Sequence, residues 1–422
     1  QSRKFISTSN AFNAHDSDIY AVAVSSPYTI TIGGDGYLKL WQNKISETDN
    51  PKTSASSFLI DNSGLHHLSL FESPILINLK KLNLILVSVV AFSGTIYFFQ
   101  IIHDTLLPLD AKFYQNDLQD YHDILSKKNN TVDNKITGEF FWAIEWFKAS
   151  DISFSDINQI QNKFLATQSK GDTKIWNVLI SISKNDKLEL SFINHGLIKP
   201  KSPNFAMSLA VSPSQNLVAT GFQNGEIILS QIDSSRSIYS FYNNSVQFSN
   251  QLNNKTYSSS IRSLKFNPDG SLLVAALDSG SFGNIYLYDT KYGELAGMLT
   301  MPTHSASTSI NVNAHDGWIF GIDFNLEGDL LVSGGYDGKL KIWNIDTRSK
   351  DGQILISPSD LIPEDEDVRE DDNLPANDYV AIIDVKYIKK GIRGGSGGDT
   401  NEGLVAVGFD GGIRWYREAG GI

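Results

Sequence analysis

Several side chains in this sequence have the types and spacing that catalysis would need. His15, Thr31 and Asp35 match the residue types of a hydrolase triad, in which a carboxylate orients an imidazole and the imidazole activates a hydroxyl. A second set of the same types occurs near the other end of the chain, around His315 and Asp337. An enzyme of this kind needs one such set, so the repetition favours a structural hydrogen-bond network over an active site.

Three other patterns could bind a metal or a phosphate. His66 and His67 are adjacent, but neighbouring strand residues are expected to point to opposite faces, which favours a hydrogen-bonded histidine beside a loop. The glycine-rich runs at Gly33 and Gly394 lack the Gly-Lys-Ser/Thr sequence and the following helix of a phosphate loop. The acidic run 363–372 lacks the spacing of a calcium-binding EF-hand. We therefore predict no catalytic residue, no metal and no cofactor.

The side chains recur because a whole segment of sequence recurs. Segments 14–42 and 314–344 both begin with Ala-His, continue with alternating apolar residues, turn at Asp-Gly and end in an alternating run closed by Trp. Weaker copies occupy the rest of the chain at 65–100, 140–177, 205–231, 261–289 and 379–418. Seven copies of a unit of this length indicate a propeller or a solenoid.

We predict a single all-β domain over residues 1–422, a seven-bladed β-propeller. Each copy has short strands of alternating polarity separated by Gly, Asp, Asn or Pro, which is typical of antiparallel blades around an axis. The blades are expected to begin near residues 14, 65, 140, 205, 261, 314 and 379, with inserted loops at about 114–139, 243–259 and 359–378. Residues 3–8 are expected to pair with the last blade, because that pairing closes the ring and covers exposed sheet edges.

The turn residues resemble the hydrogen-bonded tetrad of WD40 repeats. The first copy supplies His15, Thr31, Asp35 and Trp41, and the sixth copy supplies His315, Ser333, Asp337 and Trp343. Asp and Trp are six residues apart in both, and Ser or Thr and Trp are ten apart. A buried carboxylate needs a donor, which the His provides on one side, and the network continues from the His to Ser/Thr and the indole N–H. Other copies replace tetrad residues, at Lys170, Asn224 and Tyr416 for example, and those blades are expected to depend on apolar packing.

Composition excludes several functions. The chain has 47 acidic and 35 basic residues and therefore a net charge of −12. Because a chain of this charge repels a phosphate backbone, direct nucleic-acid binding is not expected. The most apolar stretch, 82–99, is interrupted by Asn83 and Ser88 and is too polar to span a membrane. There is no cysteine, which favours a reducing compartment, and the N-terminus has no apolar signal core.

One rim of the predicted ring collects large side chains at positions expected to face solvent. Aligning the seven copies on their first strands places residues of every copy on it, and those selected as the partner-binding set are Asp18, Tyr20, Trp142, Met207, Arg262, Trp318 and Phe320. Exposed aromatics beside a few charges are typical of protein-binding hot spots. The three insertions are expected to border the same rim, and the acidic one at 359–378 favours a basic partner segment.

Motifs along nearly the whole chain resemble one family. They include AHDSDIY, GGDGYLKLW, FWAIEW, SFGNIYLYDTKYGE, KYIKKGIRGG and the C-terminal IRWYREAGGI. On these motifs the chain resembles the fungal WD40-repeat subunit of the superkiller (Ski) complex, a family also described as meiotic recombination proteins. The resemblance implies a non-catalytic scaffold that docks a tetratricopeptide-repeat subunit and an RNA helicase for exosome-dependent decay of mRNA, in the cytoplasm. It further implies a nuclear role beside the topoisomerase-like protein that makes meiotic double-strand breaks.

The resemblance also implies how the rim would be used. Members of the family bind short partner segments that contain Arg and an apolar anchor. Transferred to this chain, Trp142 and Trp318 become apolar and stacking platforms, and Asp18 becomes the counter-ion for a partner Arg. The remaining wall would consist of Tyr20, Met207, Arg262 and Phe320.

Two other functions remain open at this stage. A propeller can hold a small ligand or a reaction in its central channel, which would need a convergent set of titratable residues where the sequence offers scattered ones. A reader of histone or ubiquitin-type ligands would have the same fold and differ only in its ligand, because fold does not determine function.

Overall fold

The computed structural model describes residues 2–44, 56–77, 79–104, 107–115, 140–149, 162–182, 188–242, 259–301, 313–358, 379–393 and 400–420. Its strands, numbered β1 to β28, form seven four-stranded antiparallel sheets. The all-β, seven-bladed propeller predicted from the repeat is therefore confirmed. None of the described residues forms a helix long and apolar enough to cross a membrane.

The first four blades follow chain order from the inner to the outer strand. Blade 1 is β2 (Ile19–Val24), β3 (Tyr28–Gly33), β4 (Tyr37–Gln42) and β5 (Ser56–Leu59). Blade 2 is β6 (Leu65–Ile77), β7 (Lys80–Ala91), β8 (Ile96–Asp104) and β9 (Leu107–Gln115). Blade 3 is β10 (Phe141–Phe147), β11 (Asn162–Gln168), β12 (Thr173–Ile182) and β13 (Leu188–Ile198). Blade 4 is β14 (Ala206–Ser212), β15 (Leu217–Phe222), β16 (Ile227–Gln231) and β17 (Arg236–Phe241).

The last three blades complete the ring. Blade 5 is β18 (Ile261–Phe266), β19 (Leu272–Ser279), β20 (Phe282–Asp289) and β21 (Glu294–Leu299). Blade 6 is β22 (Ile319–Phe324), β23 (Leu330–Gly335), β24 (Lys339–Asn344) and β25 (Ser349–Leu355). Blade 7 is β26 (Ile382–Ile388), β27 (Gly403–Gly408), β28 (Ile413–Glu418) and, as its outer strand, β1 (Phe5–Ala11).

The core lies between the blades. Each blade interface contains one cluster of buried apolar side chains, as where Leu340 and Ile342 of blade 6 pack with Val385 and Leu404 of blade 7. The inner strands of consecutive blades contact one another around the whole circle, and blade 7 contacts blade 1. Burying both faces of every sheet supplies the main stabilisation, at roughly 25 cal/mol per Å² of apolar surface. It also explains why the weakly matching copies still form blades.

The two ends of the chain close the ring. Strand β1 pairs antiparallel with β28, with Phe5 opposite Glu418 and Ala11 opposite Ile413. The strand begins two residues later than the predicted segment 3–8 and continues to Ala11, because the ladder resumes after a bulge between Ser7 and Ser9. Arg3 itself bridges to blade 6, where its backbone N–H donates to the carbonyl of Asp351 at 2.6 Å.

Both predicted tetrads form continuous buried networks. In blade 6, His315 Nδ1 lies 3.0 Å from Asp337 and Nε2 lies 2.7 Å from the Ser333 hydroxyl, which accepts from Trp343 Nε1 at 2.9 Å. Blade 1 repeats this arrangement with His15, Thr31, Asp35 and Trp41. Burial acts to raise the pKa of Asp337, but the hydrogen bond and charge of His315, together with the backbone N–H of Lys339 and the charge of Lys341, outweigh burial and the pKa is lowered. Since an ionised carboxylate cannot donate, His315 must donate from Nδ1.

Blade 7 corrects one expectation about the incomplete copies. Its turn carboxylate, Asp410, accepts at 2.9 Å from Nη2 of Arg414, a side chain with no exposed surface. The same guanidinium donates to the carbonyl of Ser357 in the preceding blade region at 3.2 Å. The prediction that blade 7 depends on apolar packing alone is therefore wrong, because a buried arginine takes the place of the missing His and Trp.

The predicted insertions lie almost entirely outside the described residues. Strand β9 extends to Gln115, at the start of the 114–139 insertion, and the description resumes at residue 140. Residues 243–258 and 359–378, and the glycine-rich run at Gly394, are likewise not described.

Candidate functional site

A β-bulge near the start of each inner strand turns one side chain out of the regular alternation. The ladder register shifts at this point in all seven blades. A bulge inserts an unpaired residue and re-aims its side chain. The bulge residues are Tyr20, His66, Trp142, Met207, Arg262, Phe320 and Ile383. The bulge therefore removes this side chain from the two sheet faces to which alternation would assign it.

A backbone hydrogen bond fixes two more residues beside each bulge. In every blade the N–H of a residue at or just after the end of the second strand donates to the carbonyl of the residue two positions before the bulge, at 2.8–3.1 Å. The pairs are Gly34–Asp18, Phe92–Gly64, Ser169–Phe140, Gln223–Phe205, Asp278–Ser260, Tyr336–Trp318 and Phe409–Ala381. We call the bulge residues and these pairs together the upper rim. Its backbone is the same in all blades, so its chemistry depends on side chains alone.

Five rings from blades 1 to 4 form the first side-chain group on the upper rim. Trp142 stacks on His66 with centroids 4.0 Å apart and contacts Phe205 edge-on at 5.0 Å. Phe92 lies 6.0 Å from Trp142 and 5.4 Å from Tyr20. We call these five residues the Trp142 cluster. Because Trp142 remains partly exposed, the cluster presents an apolar surface to solvent, and the ring contacts hold that surface in place.

A carboxylate borders the Trp142 cluster. Asp18 is partly buried, and its Oδ2 lies 3.5 Å from the Tyr20 hydroxyl, a long hydrogen bond. Burial raises the pKa of Asp18, and the Tyr20 hydroxyl offsets only part of that effect. An incompletely compensated, desolvated carboxylate gains stability from a cation placed beside it.

A second group occupies blades 5 to 7. The guanidinium carbon of Arg262 lies 4.4 Å from the ring centroid of Trp318 and 5.4 Å from that of Phe320. Its Nε donates to Asp278 at 2.8 Å, and Phe409 contacts Phe320 at 6.4 Å. We call these five residues the Arg262 cluster. The indole Nε1 of Trp318 donates to the carbonyl of Gly280 at 2.8 Å, which fixes the ring plane.

All seven rim residues selected from the sequence lie on the upper rim and are partly buried: Asp18, Tyr20, Trp142, Met207, Arg262, Trp318 and Phe320. The structure divides them between two clusters, with Asp18 beside the first, and Met207 stands at the blade 4 bulge. One part of the expectation changes. Trp318 is not a bare stacking platform, because the chain's own Arg262 already lies against it.

The expectation that His66 is a hydrogen-bonded histidine is confirmed, but the expectation that His66 and His67 point to opposite faces is wrong. Their rings lie 4.9 Å apart and the two Nδ1 atoms are 2.6 Å apart, because the bulge at this position abolishes the alternation of faces. His66 Nε2 donates to the carbonyl of Ala91 at 3.2 Å, so its Nδ1 must accept from His67. Burial lowers the pKa of His66 to about 2 and that of His67 to about 4, so both rings are neutral at pH 7.

The sequence analysis missed a group of charges on the inner strands. Lys265 lies 3.6 Å from Asp323, and Lys386 lies 3.8 Å from Asp384. The carboxylates also join blades: Asp384 accepts from the Val22 N–H at 3.0 Å, and Asp323 accepts from that of Tyr387 at 2.8 Å. Glu145 accepts from Ser69 of blade 2 at 3.1 Å, and burial raises the pKa of Glu145.

The position of these charges could have been found in the sequence. Glu145, Lys265, Asp323 and Lys386 stand three residues after the bulge in blades 3, 5, 6 and 7. Their common position becomes visible only when the inner strands are aligned on the bulge. Within the described residues, His, Asp and Glu form no group of three or more able to hold a metal ion.

The ring of seven blades with tetrads in two of them defines a WD40-repeat propeller. The WD domain, G-beta repeat model matches residues 5–42 and 307–344, and the anaphase-promoting complex subunit 4 WD40 model matches residues 209–315. Part of the chain is also similar to WD repeat-containing protein 36 of Homo sapiens, with 26% identity over 46% of this chain and 17% of that protein.

A longer similarity identifies the family within this class. The chain is 34% identical to antiviral protein SKI8 of Saccharomyces cerevisiae over 426 aligned residues, which cover 100% of both proteins. The chain therefore belongs to the SKI8 family of WD40-repeat proteins. Its role is that of a scaffold for protein–protein interaction.

Proposed function

We propose that this chain is the non-catalytic WD40 subunit of a cytoplasmic Ski complex. In this role it docks a tetratricopeptide-repeat subunit and an RNA helicase that passes RNA 3′ ends to the exosome. In the nucleus the same surface would bind the meiotic topoisomerase-like protein. The full-length similarity to SKI8 supports the assignment, and the upper rim is the surface on which it rests.

The observation that carries the proposal is the Trp142 cluster with Asp18 at its edge. Five rings held by one another lose little conformational entropy when a partner covers them, which is the property of a binding hot spot. Asp18 lacks full compensation for its burial. A partner segment with an arginine followed by an apolar side chain would satisfy both features at once, by pairing with Asp18 and covering Trp142.

The charges on the inner strands support a structural role and not a reaction. Asp384 and Asp323 each accept a backbone N–H from the next blade, so moving either carboxylate toward a substrate would break an inter-blade bond. Lys265 and Lys386 stand beside those carboxylates. General acid–base catalysis needs a group free to exchange a proton with a substrate, and these groups are engaged with the protein itself.

The test is binding to the tetratricopeptide-repeat Ski subunit encoded in the same genome, measured with both proteins purified. Trp142→Ala is expected to raise Kd by at least about 30-fold, roughly 2 kcal/mol, because it removes the centre of the cluster. Tyr292→Ala is the matched control, since Tyr292 is 64% exposed on the hairpin joining the outer strands of blade 5. Equal Kd values for Trp142→Ala and the wild type, with binding retained, would refute the assignment of the site.

A further inference from the structure

The two halves of the upper rim present accessible charged side chains of opposite sign. Asp18 borders the Trp142 cluster in blade 1, and Arg262 stands at the bulge of blade 5. A partner that uses only the first half would leave the arginine without a role in binding. Its surroundings show how the side chain is held and which of its atoms remain without a hydrogen bond among the described residues.

Arg262 is fixed in place before any partner arrives. Its guanidinium lies over Trp318, its Nε is bound to Asp278, and Asp278 itself has no exposed surface. The arginine side chain keeps 21% of its surface exposed. Among the described residues no hydrogen bond reaches Nη1 or Nη2, so the outer fork of the guanidinium is available.

We propose that Arg262 reads a carboxylate, the side chain of an Asp or Glu, in the segment that docks on the upper rim. This inference rests on the proposed docking function and adds the chemistry of its second contact. A guanidinium fork binds a carboxylate through two parallel N–H···O bonds. Since Trp318 and Asp278 already hold the side chain, little rotamer freedom is lost on binding.

The local charge favours a carboxylate over a phosphate. Asp278 neutralises one positive charge, so Arg262 and Asp278 together are electrically neutral. A phosphate dianion would pair with one guanidinium and be repelled by Asp278 through two negative charges. A carboxylate would form the same paired hydrogen bonds with the guanidinium and be repelled about half as strongly. The ring of Phe409 is 43% exposed and contacts Phe320 beside this position, so it would cover flanking apolar atoms of the partner.

Together the two charges give the docked segment a direction. A cation would bind at Asp18 and an acid at Arg262, so a segment with these groups in the opposite order would place like charges together. Such juxtaposition is a strong source of specificity at protein interfaces. Binding would thus depend on the order of charges in the partner and not only on its apolar anchor.

The test begins by selecting ligands from a random peptide library on the full-length protein and keeping those whose binding is lost in Trp142→Ala. The expected consensus contains one Asp or Glu. For a selected peptide, replacing that residue by its amide should raise Kd for the wild type about tenfold. In the double variant Arg262→Gln/Asp278→Asn, the acid and amide peptides should bind equally, because the reading group is gone.

A stability measurement on the double variant and one further variant serve as controls. The double variant leaves no unpaired carboxylate in the core, and its thermal unfolding should match that of the wild type within a few degrees. Arg262→Lys keeps the counter-ion of Asp278 but lacks the fork, so it should also lose most of the preference for the acid peptide. A phosphoserine at the selected position should bind no more tightly than Glu.

Three results would overturn the proposal. They are a consensus without an acidic residue, an acid preference that persists unchanged in both Arg262 variants, and a phosphoserine peptide that binds more than about tenfold tighter than the Glu peptide. If the library yields no peptide sensitive to Trp142→Ala, the docking function itself fails and this inference falls with it. That result is distinct from the other three, in which docking survives.

Discussion

Replacing Thr31 by Val tests whether the polar network of blade 1 stabilises the ring. The hydroxyl of Thr31 accepts from Trp41 Nε1 at 2.9 Å and lies 2.8 Å from His15 Nε2. Since Asp35 holds the Nδ1 proton of His15, Nε2 must accept from Thr31. The substitution preserves shape and β-branching and removes only the hydroxyl, so the strand geometry and the packing of β3 should not change.

The expected magnitude follows from the groups that lose a partner. Trp41 is 3% exposed and His15 is 2% exposed, so water cannot replace the missing hydroxyl. Each buried group left without a hydrogen bond costs about 1–3 kcal/mol, which gives about 2–6 kcal/mol in total. Urea unfolding should therefore show a clearly lower midpoint with an unchanged slope, because the unfolded state exposes the same surface.

Blade 4 provides the matched control. Thr220 occupies the same ladder position, is 3% exposed, and makes one long contact of 3.4 Å to the hydroxyl of Thr173. Its blade has Asn224 and Ser230 where a tetrad has Asp and Trp. Thr220→Val should cost at most about 1 kcal/mol. If the two Val variants lower the urea midpoint equally, the buried network contributes nothing beyond an ordinary hydroxyl, and the account of the tetrad is wrong.

Three further expectations concern charge and pH. Affinity for the tetratricopeptide-repeat partner should fall as pH drops through the raised pKa of Asp18, because a protonated Asp18 no longer attracts the partner's arginine. Titration calorimetry from pH 7 to pH 4.5 should show this dependence in the control Glu294→Gln but not in Asp18→Asn. The pKa of His66 in the folded state lies far below that in the unfolded state, so below about pH 6.5 only the unfolded state gains a proton, and the free energy of unfolding decreases as pH falls. Between pH 7 and pH 5, urea titrations should show that His66→Leu loses about 2 kcal/mol less of this free energy than the wild type. Arg414→Met should lower the free energy of unfolding by about 1–3 kcal/mol, because it leaves Asp410 without its buried donor. Adding Asp410→Asn should restore part of this loss, and a double-mutant cycle of urea unfolding measures the coupling between the two residues.

The fold could be predicted because its signals are local. The alternation in 314–344 and its turn at Asp337-Gly338 are properties of a single segment, and repetition makes the segment visible even where it is degraded. The tetrads follow from spacing for the same reason. Closure by the N-terminal strand could be predicted because sheet edges have to be covered. A strand left unpaired before the first copy would expose its own edge and that of the last blade.

The chemistry of the upper rim could be located from sequence but not described. Arg262 and Trp318 are far apart in the chain, and nothing in either segment indicates that the guanidinium covers the indole. Asp278, near the end of β19, holds the arginine from the position that Phe92 and Phe409 occupy in the turns of other blades. Its turn has a different length from those of the tetrad blades, which hides the correspondence when copies are aligned on Asp-Gly.

The bulge explains a second group of errors. Alternation predicts opposite faces for His66 and His67, whereas the unpaired residue at this point brings both rings together. Bulges are not marked by a residue type here, since the bulge residues range from arginine to isoleucine. They become apparent only when all seven inner strands are compared, and the same comparison would have placed the charges on the inner strands at one level.

The polar turn networks are grouped around the seam of the ring. Turn carboxylates at the tetrad position stand in blades 6, 7 and 1, as Asp337, Asp410 and Asp35, and blades 2, 3 and 4 have Ser93, Lys170 and Asn224 there. Blades 1 to 6 are each built from one continuous stretch of chain, so connectivity restricts their register. Blade 7 is assembled from both ends, and a slip of β1 along β28 by one residue would reverse its faces. Apolar packing tolerates small shifts, whereas a buried hydrogen bond does not. Directional bonds at the turns therefore lie where connectivity specifies least. Blades 2 to 4, which carry four of the five rings of the Trp142 cluster, depend more on the apolar core between them.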